Sequence, residues 1–165
     1  MLCDIKKLSK DGYKHTSECE QYIFNLLSSN GLLPDILSYA KGYEPGYDAI
    51  LNTKHKLKVE LKLQSGVDLC IEVSKVSTGA PCGINTTNST FYVMLNLDEF
   101  LNIGIFRILL VKNIIEYITI VNPYRVNSGT EQVIFIPPTN IKCEVIGSVK
   151  YLGDKVYDLS SFKKI

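Results

Sequence analysis

Three residues in the first half of the chain are of types that could do chemistry together: Asp48, Glu60 and Lys62. Glu60 and Lys62 belong to "KLKVELKLQSG", residues 56–66, in which Leu57, Val59, Leu61 and Leu63 alternate with Lys58, Glu60, Lys62 and Gln64. Strict alternation marks a half-buried strand, so Glu60 and Lys62 project from one polar face. Asp48 stands in "GYEPGYDAILN", where glycine and proline signal a turn and the apolar stretch after them signals a strand opening near Tyr47. Two carboxylates from neighbouring strands suit Mg²⁺ or Mn²⁺, hard cations that take oxygen ligands and leave positions for water and phosphate. Such an ion neutralises developing charge and acidifies water. An ammonium beside it can orient or help deprotonate that water, or stabilise a phosphorane-like transition state. The chemistry this set suits is phosphodiester hydrolysis.

The elements that must position these residues are legible in part. Cys19, Tyr22, Ile23, Leu26 and Leu27 fall near the helical period and predict a helix from Ser17 to Asn30, stopped by "NG" at 30 and 31. Ser17 and Glu20 have the spacing of a capping box at its start. After "QSG" the alternation resumes, with Val67, Leu69, Ile71 and Val73 on one side and Asp68, Cys70, Glu72 and Ser74 on the other. A loop of Gln64, Ser65 and Gly66, the glycine at positive φ, predicts a hairpin pairing Leu63 with Val67, Glu60 with Cys70, Lys58 with Glu72 and Lys62 with Asp68. "STGAPCGINTTNS" reads as a loop holding one short helical turn. Residues 90–96, 105–112 and 131–138 read as strands and "NIIEYITIV" as a helix. Strands with helices before and after them, without repeats or linkers, predict one mixed α/β domain over 1–165.

The segment from Asp48 through Glu60-Leu61-Lys62 resembles the PD-(D/E)XK nuclease superfamily, which includes restriction-endonuclease-like and junction-resolving proteins of phage and virus type. Pro45 stands three places ahead of Asp48, so the proline of the name is displaced. "APCGINTTNSTFYVML" is similar to the stretch that follows the catalytic strands in phage and virus members, through Gly83, Ile84, Thr87, Phe91, Tyr92 and Val93. Ser89 and Thr90 stand where those members have Ala-Asp. Glu20, with Ile23, Leu27 and Gly31 after it, is similar to the first-helix pattern of junction-resolving members. The resemblance implies a central mixed β-sheet flanked by helices and a metal site of Asp48, Glu60 and the Leu61 carbonyl, with Glu20 as auxiliary ligand or organiser of the base. It implies a DNA substrate that is duplex, branched or single-stranded, and a homodimer where two strands are cut.

Glu72 is a candidate second metal ligand or partner of the lysine, and Lys58, Gln64, Ser74, Lys75 and Thr87 are candidate contacts to nucleic acid. Read without chemistry, the same residues make cross-strand ion pairs on a wet sheet face, Asp48 shapes a turn, and Glu20 completes the cap. Two other classes therefore stay open: a non-catalytic nucleic-acid- or protein-binding module on the same scaffold, and a small structural or inhibitory viral protein.

Composition narrows the remaining classes. The 165 residues are 45% hydrophobic and 21% charged, enough for a full core, and carry a formal net charge of +1. A polyanion would meet local patches, at Lys54, His55, Lys56, Lys58, Lys62 and Lys75, at Lys6, Lys7, Lys10 and Lys14, or at Lys163 and Lys164. The five cysteines, at 3, 19, 70, 82 and 143, lack zinc-site spacing and the even count of a disulfide framework, which predicts reduced thiols. His15 and His55 are the only histidines for a cysteine nucleophile. Without a long apolar run or an apolar leader, the expectation is a cytoplasmic protein that does not enter a membrane.

Overall fold

The computed structural model describes residues 1–10, 13–41 and 46–165, and the side chains of these other than 9, 10 and 13–15. Pro45 and the side chains of Lys10, Lys14 and His15 lie outside the described residues. In chain order the elements are β1 (Leu2–Asp4), α1 (Ile5–Lys10), α2 (Tyr13–Ser29), β2 (Ile36–Tyr39), β3 (Ala49–Leu51), β4 (Lys58–Leu63) and β5 (Leu69–Lys75). A 3₁₀ turn at Gly83–Asn85 precedes β6 (Phe91–Asp98), β7 (Ile103–Leu110), α3 (Val111–Val121), β8 (Val126–Ser128) and β9 (Glu131–Ile136). A second 3₁₀ turn at Pro138–Asn140 leads to β10 (Glu144–Gly153) and β11 (Val156–Lys164).

Eight strands form one mixed sheet in the order β1-β11-β10-β7-β6-β4-β3-β2, in which β4 and β6 are parallel and the other neighbours antiparallel. β5, β9 and β8 form a second, antiparallel sheet. The architecture is thus mixed α/β and mostly sheet, with three α-helices among the described residues. No helix among them is long and apolar enough to cross a membrane.

β6 explains how the layers pack. Phe91, Val93 and Leu95 join Ile23, Phe24 and Leu27 of α2 in one core cluster, while Tyr92 and Met94 join Ile71 of β5, Ile134 of β9 and Ile114 of α3 in another. A strand covered on both faces needs a continuous apolar run, and "FYVML" supplies it. β4 is covered differently. Val59 and Leu61 enter the first cluster, which turns Glu60 and Lys62 to the other side, in register with Tyr92 and Met94.

Two local expectations are corrected. The hairpin of 56–66 with 67–74 does not form, because both edges of β4 are taken by β3 and β6. Past Leu63 the chain keeps running beside β6, with Gln64 N donating to Leu95 O (2.9 Å) and Leu97 N to Gly66 O (3.0 Å), and β5 crosses away to pair with β9. The expected Lys58–Glu72 and Lys62–Asp68 pairs are replaced. Lys58 lies over the Tyr47 ring at 4.7 Å, and Lys62 pairs with Glu60 and Glu72. The capping box is also absent: α2 begins at Tyr13, so Ser17 and Glu20 are interior, and the Ser17 hydroxyl accepts from Gln21 Nε2 at 3.3 Å. The strand foreseen near Tyr47 starts at Ala49. The short turn in the 77–89 loop, the strands at 91–98, 103–110 and 131–136, and helix α3 fall where the sequence put them.

Gly83 has φ +51°, and a Cβ there would come within 2.4 Å of Glu72 O and 2.6 Å of Glu72 Cβ. It is the point at which the loop after β5 closes against Glu72. Gly83→Ala is expected to lower stability by roughly 2–4 kcal/mol, combining left-handed strain with overpacking. Urea denaturation measures this, and an unchanged midpoint would contradict the close approach.

Candidate active site

Asp48 grips β4 on both sides of Glu60. Its amide donates to Val59 O at 2.9 Å and its Oδ2 accepts from Leu61 N at 2.7 Å. The carboxylate thus serves β4 as a ladder partner just ahead of β3, and leaves Oδ1 for a further partner. Glu60 is 7% exposed; its Oε1 lies 2.6 Å from Lys62 Nζ and its Oε2 accepts from the Thr87 hydroxyl at 2.9 Å. Lys62 Nζ also lies 3.7 Å from Glu72 Oε2 and 5.7 Å from the centre of the Tyr92 ring. Glu20, half-buried on α2, feels the charges of Asp48, Lys62 and Glu60.

The electrostatics follow from burying several carboxylates beside one ammonium. Burial pushes the Glu20 carboxyl up to about 8, with the Asp48 charge adding to it and Lys62 drawing it back. Burial also lifts Asp48 to about 6, against the pull of the Leu61 amide. For Lys62 burial opposes the charged form, but the Glu60 and Glu72 carboxylates outweigh it and hold the ammonium well above the ordinary lysine range. Glu20, Asp48 and Lys62 thus each hold a proton more tightly than they would in water. Among the described residues no group of three or more His, Cys, Asp or Glu side chains is placed to hold a metal ion. Asp48 and Glu60 are brought to adjacent places along β4 by the two bonds from Asp48, an oxygen pair of the kind that Mg²⁺ takes when it keeps most of its waters.

The loop between β5 and β6 holds this arrangement in place. Gly46 O, two residues before Asp48, accepts from Asn88 N (2.9 Å) and Ser89 Oγ (3.0 Å), and the one proton of the Thr87 hydroxyl is shared between Gly46 O (3.1 Å) and Glu60 Oε2 (2.9 Å). Thr87, foreseen as a nucleic-acid contact, instead orients Glu60 and anchors the approach to Asp48. Ser89 contributes one of these bonds.

Three other foreseen contacts have protein partners. The Gln64 amide closes on Cys70, donating to its carbonyl (2.6 Å) and accepting from its amide (3.1 Å). The Ser74 hydroxyl is buried and donates to Gln132 Oε1 at 2.9 Å. Lys75 pairs with Glu131 at 2.5 Å. Lys54, His55 and Lys56 are exposed at the tip of the β3–β4 hairpin.

Tyr92 is the residue that sequence reasoning took only as a matching letter. It is fully buried in register with Glu60, and its hydroxyl makes no hydrogen bond among the described residues. Thr87 lies near enough to influence its ionisation without closing a bond, and burial, then the Glu60 charge, raises its proton affinity. The available signal was a phenol inside a doubly buried strand, where a hydroxyl has to find a partner.

The chain matches no family model and no curated protein.

Two outcomes follow for the free protein. Glu20 and Asp48 start from ordinary values of 4.5 and 3.8 and are raised on folding, so the stability they contribute is fully present below about pH 4 and is lost as pH rises through about 6 for Asp48 and about 8 for Glu20. The urea midpoint in EDTA should fall between about pH 4 and pH 8, and Glu20→Gln should flatten the upper part of that fall. A midpoint that rises over this range contradicts the proton uptake. Tyr92→Phe removes an unpaired buried hydroxyl while keeping the ring, and should stabilise the protein by about 1 kcal/mol. A loss of that size would mean that the hydroxyl is bonded.

Proposed function

We propose that the protein is a metal-dependent nuclease that hydrolyses DNA phosphodiester bonds, an endonuclease of phage or viral type on a restriction-endonuclease-like sheet. The carrying observation is that Asp48 spans Glu60 on β4 while Lys62 stands beside Glu60, two carboxylates and an ammonium on adjoining strands. Further support comes from the order of the parts: a glutamate on a long helix, an aspartate ahead of one strand, E-x-K on the next, and a glycine-led turn before β6.

Asp48, Glu60 and the Leu61 carbonyl would hold Mg²⁺ or Mn²⁺, with Glu20 as an auxiliary ligand. The ion, when bound, supplies positive charge at the phosphate and acidifies water. Lys62, kept as an ammonium by Glu60 and Glu72, stabilises the charge that builds on the phosphate oxygens and does not abstract the proton. Where it does not ligate the ion, Glu20, near enough to Asp48, Glu60 and Lys62 to feel their charges, would organise the base that takes the water's proton. Thr87 holds Glu60 in one orientation through Oε2. Water attacks phosphorus directly and the P–O bond to the leaving strand breaks, so no covalent enzyme intermediate is needed.

The closed Glu60–Lys62 pair at 2.6 Å favours a second reading, a non-catalytic nucleic-acid- or protein-binding module whose charges already satisfy each other. Incubation with plasmid, linear, single-stranded and four-way-junction DNA, in Mg²⁺, Mn²⁺ or EDTA, separates the two. Cutting of at least one substrate is expected, stopped by EDTA and reduced about a hundredfold or more by Glu60→Ala and by Lys62→Ala. Equal cutting by both variants or in EDTA would overturn the nuclease reading, and binding without cutting would favour the module.

A further inference from the structure

Lys62 and Glu72 also form one end of a cleft of about 420 Å³ between the turn after β4, the outer face of the second sheet and Ile5. This lies within the range of about 300–1,000 Å³ in which clefts take up small organic groups. Its floor follows from the β5–β9 ladder. Cys70 is paired with Phe135 and Glu72 with Val133, so the side chains of these four share the face turned away from the second core cluster. Phe135 keeps 45% of its surface exposed on that face although it sits mid-strand, and Leu63, Ile5 and Val133 add apolar wall.

Among the described residues the charged groups lining the cleft are Asp68, Glu72 and Glu131 against Lys62, with Lys75 reaching Glu131 at 2.5 Å from outside the lining. An interior with this balance repels phosphate, so a nucleic-acid backbone that reaches Lys62 must pass at the rim. What can enter is an uncharged planar ring carrying N–H donors. Phe135 offers it a stacking face, and the Asp68 and Glu72 carboxylates accept from its ring or exocyclic nitrogens. A base held in a duplex cannot reach such a cleft without leaving its stack.

We infer that this cleft binds one unpaired nucleobase of the DNA substrate, next to the phosphate that meets Lys62. The inference deepens the nuclease reading and rests on it for the position of that phosphate. It assigns the substrate class: DNA with an unpaired nucleotide at the cut, as in a single strand, a flap or a splayed junction arm, in preference to continuous duplex.

The test is binding without cleavage. Fluorescence anisotropy in EDTA compares the intact protein and Phe135→Ala on a labelled duplex and on the same duplex carrying a short single-stranded gap. A 2-aminopurine in the gap reports stacking. The gapped DNA should bind about tenfold tighter than duplex, with 2-aminopurine quenched on binding, and Phe135→Ala should remove both the preference and the quenching. Phe135→Leu, which keeps apolar bulk, should restore folding without restoring the quenching, so a fold defect is distinguished from a lost stacking face. Equal binding of the two DNAs, or quenching unchanged in Phe135→Ala, overturns the cleft assignment even if the protein cuts DNA. A gap preference lost in Phe135→Ala, in a protein that cuts nothing, upholds the cleft and overturns the nuclease reading alone.

Discussion

A single hydrogen bond, from the Leu61 amide to the Asp48 carboxylate, sets the geometry on which the site depends. In a regular ladder that amide would find a main-chain carbonyl on the neighbouring strand. Here a side chain takes the place, and so ties an acidic group to the backbone one residue beyond Glu60. Burying a carboxylate is costly unless it is hydrogen-bonded, and this bond offsets part of the cost. The rest of the local structure maintains it. Three donors from residues 87–89 converge on Gly46 O, and the loop that carries them is seated by Gly83 against Glu72, where only a glycine fits.

The second constraint is like charge in a confined space. Glu20, Asp48 and Glu60 share one ammonium among them, and Glu72 competes for it from the other sheet. In the free protein the balance is struck by protons and by Lys62. Burial and the neighbouring charges therefore raise the proton affinity of Glu20 and Asp48, the cost of bringing acids together away from water. The fold supplies the means of forcing them: α2, the segment before β3, β4 and β5 each contribute one carboxylate, and each is fixed by apolar packing remote from the charges.

Sequence made the faces of the strands legible but not their edges. Alternation identified β4 and β5 correctly as strands because each buries one face, yet alternation says nothing of which neighbour a strand pairs with. Two adjacent strands around a short glycine-containing turn read as a hairpin, whereas the free edge for β5 was provided by β9, some sixty positions on. The start of α2 was misread because a serine three residues before a glutamate has capping spacing wherever it occurs, even in the interior of a helix. β10 and β11 left little pattern, since register shifts between Val145 and Gly147, between Ser148 and Lys150 and between Tyr151 and Gly153 interrupt the period of two. Asp48, Glu60 and Lys62 were legible as a group because strand spacing alone places Glu60 and Lys62 together. The acceptor role of Gly46, the orienting role of Thr87 and the orphan hydroxyl of Tyr92 depend on contacts between segments distant in sequence, which no local pattern records.

The parallel pairing of β4 with β6 has a temporal consequence. Parallel neighbours need a long crossover, and here the crossover contains β5, whose partner β9 lies at Glu131–Ile136. A nascent chain that has emerged only as far as β6 therefore carries every acid of the cluster while the strand bearing Glu72 still lacks its mate. β9 closes that gap, and a residue made later still steadies the turn between β4 and β5, where the Tyr157 hydroxyl donates to Gln64 O at 2.6 Å. The wall of the cleft that Val133 and Phe135 supply therefore exists only once β9 has been made.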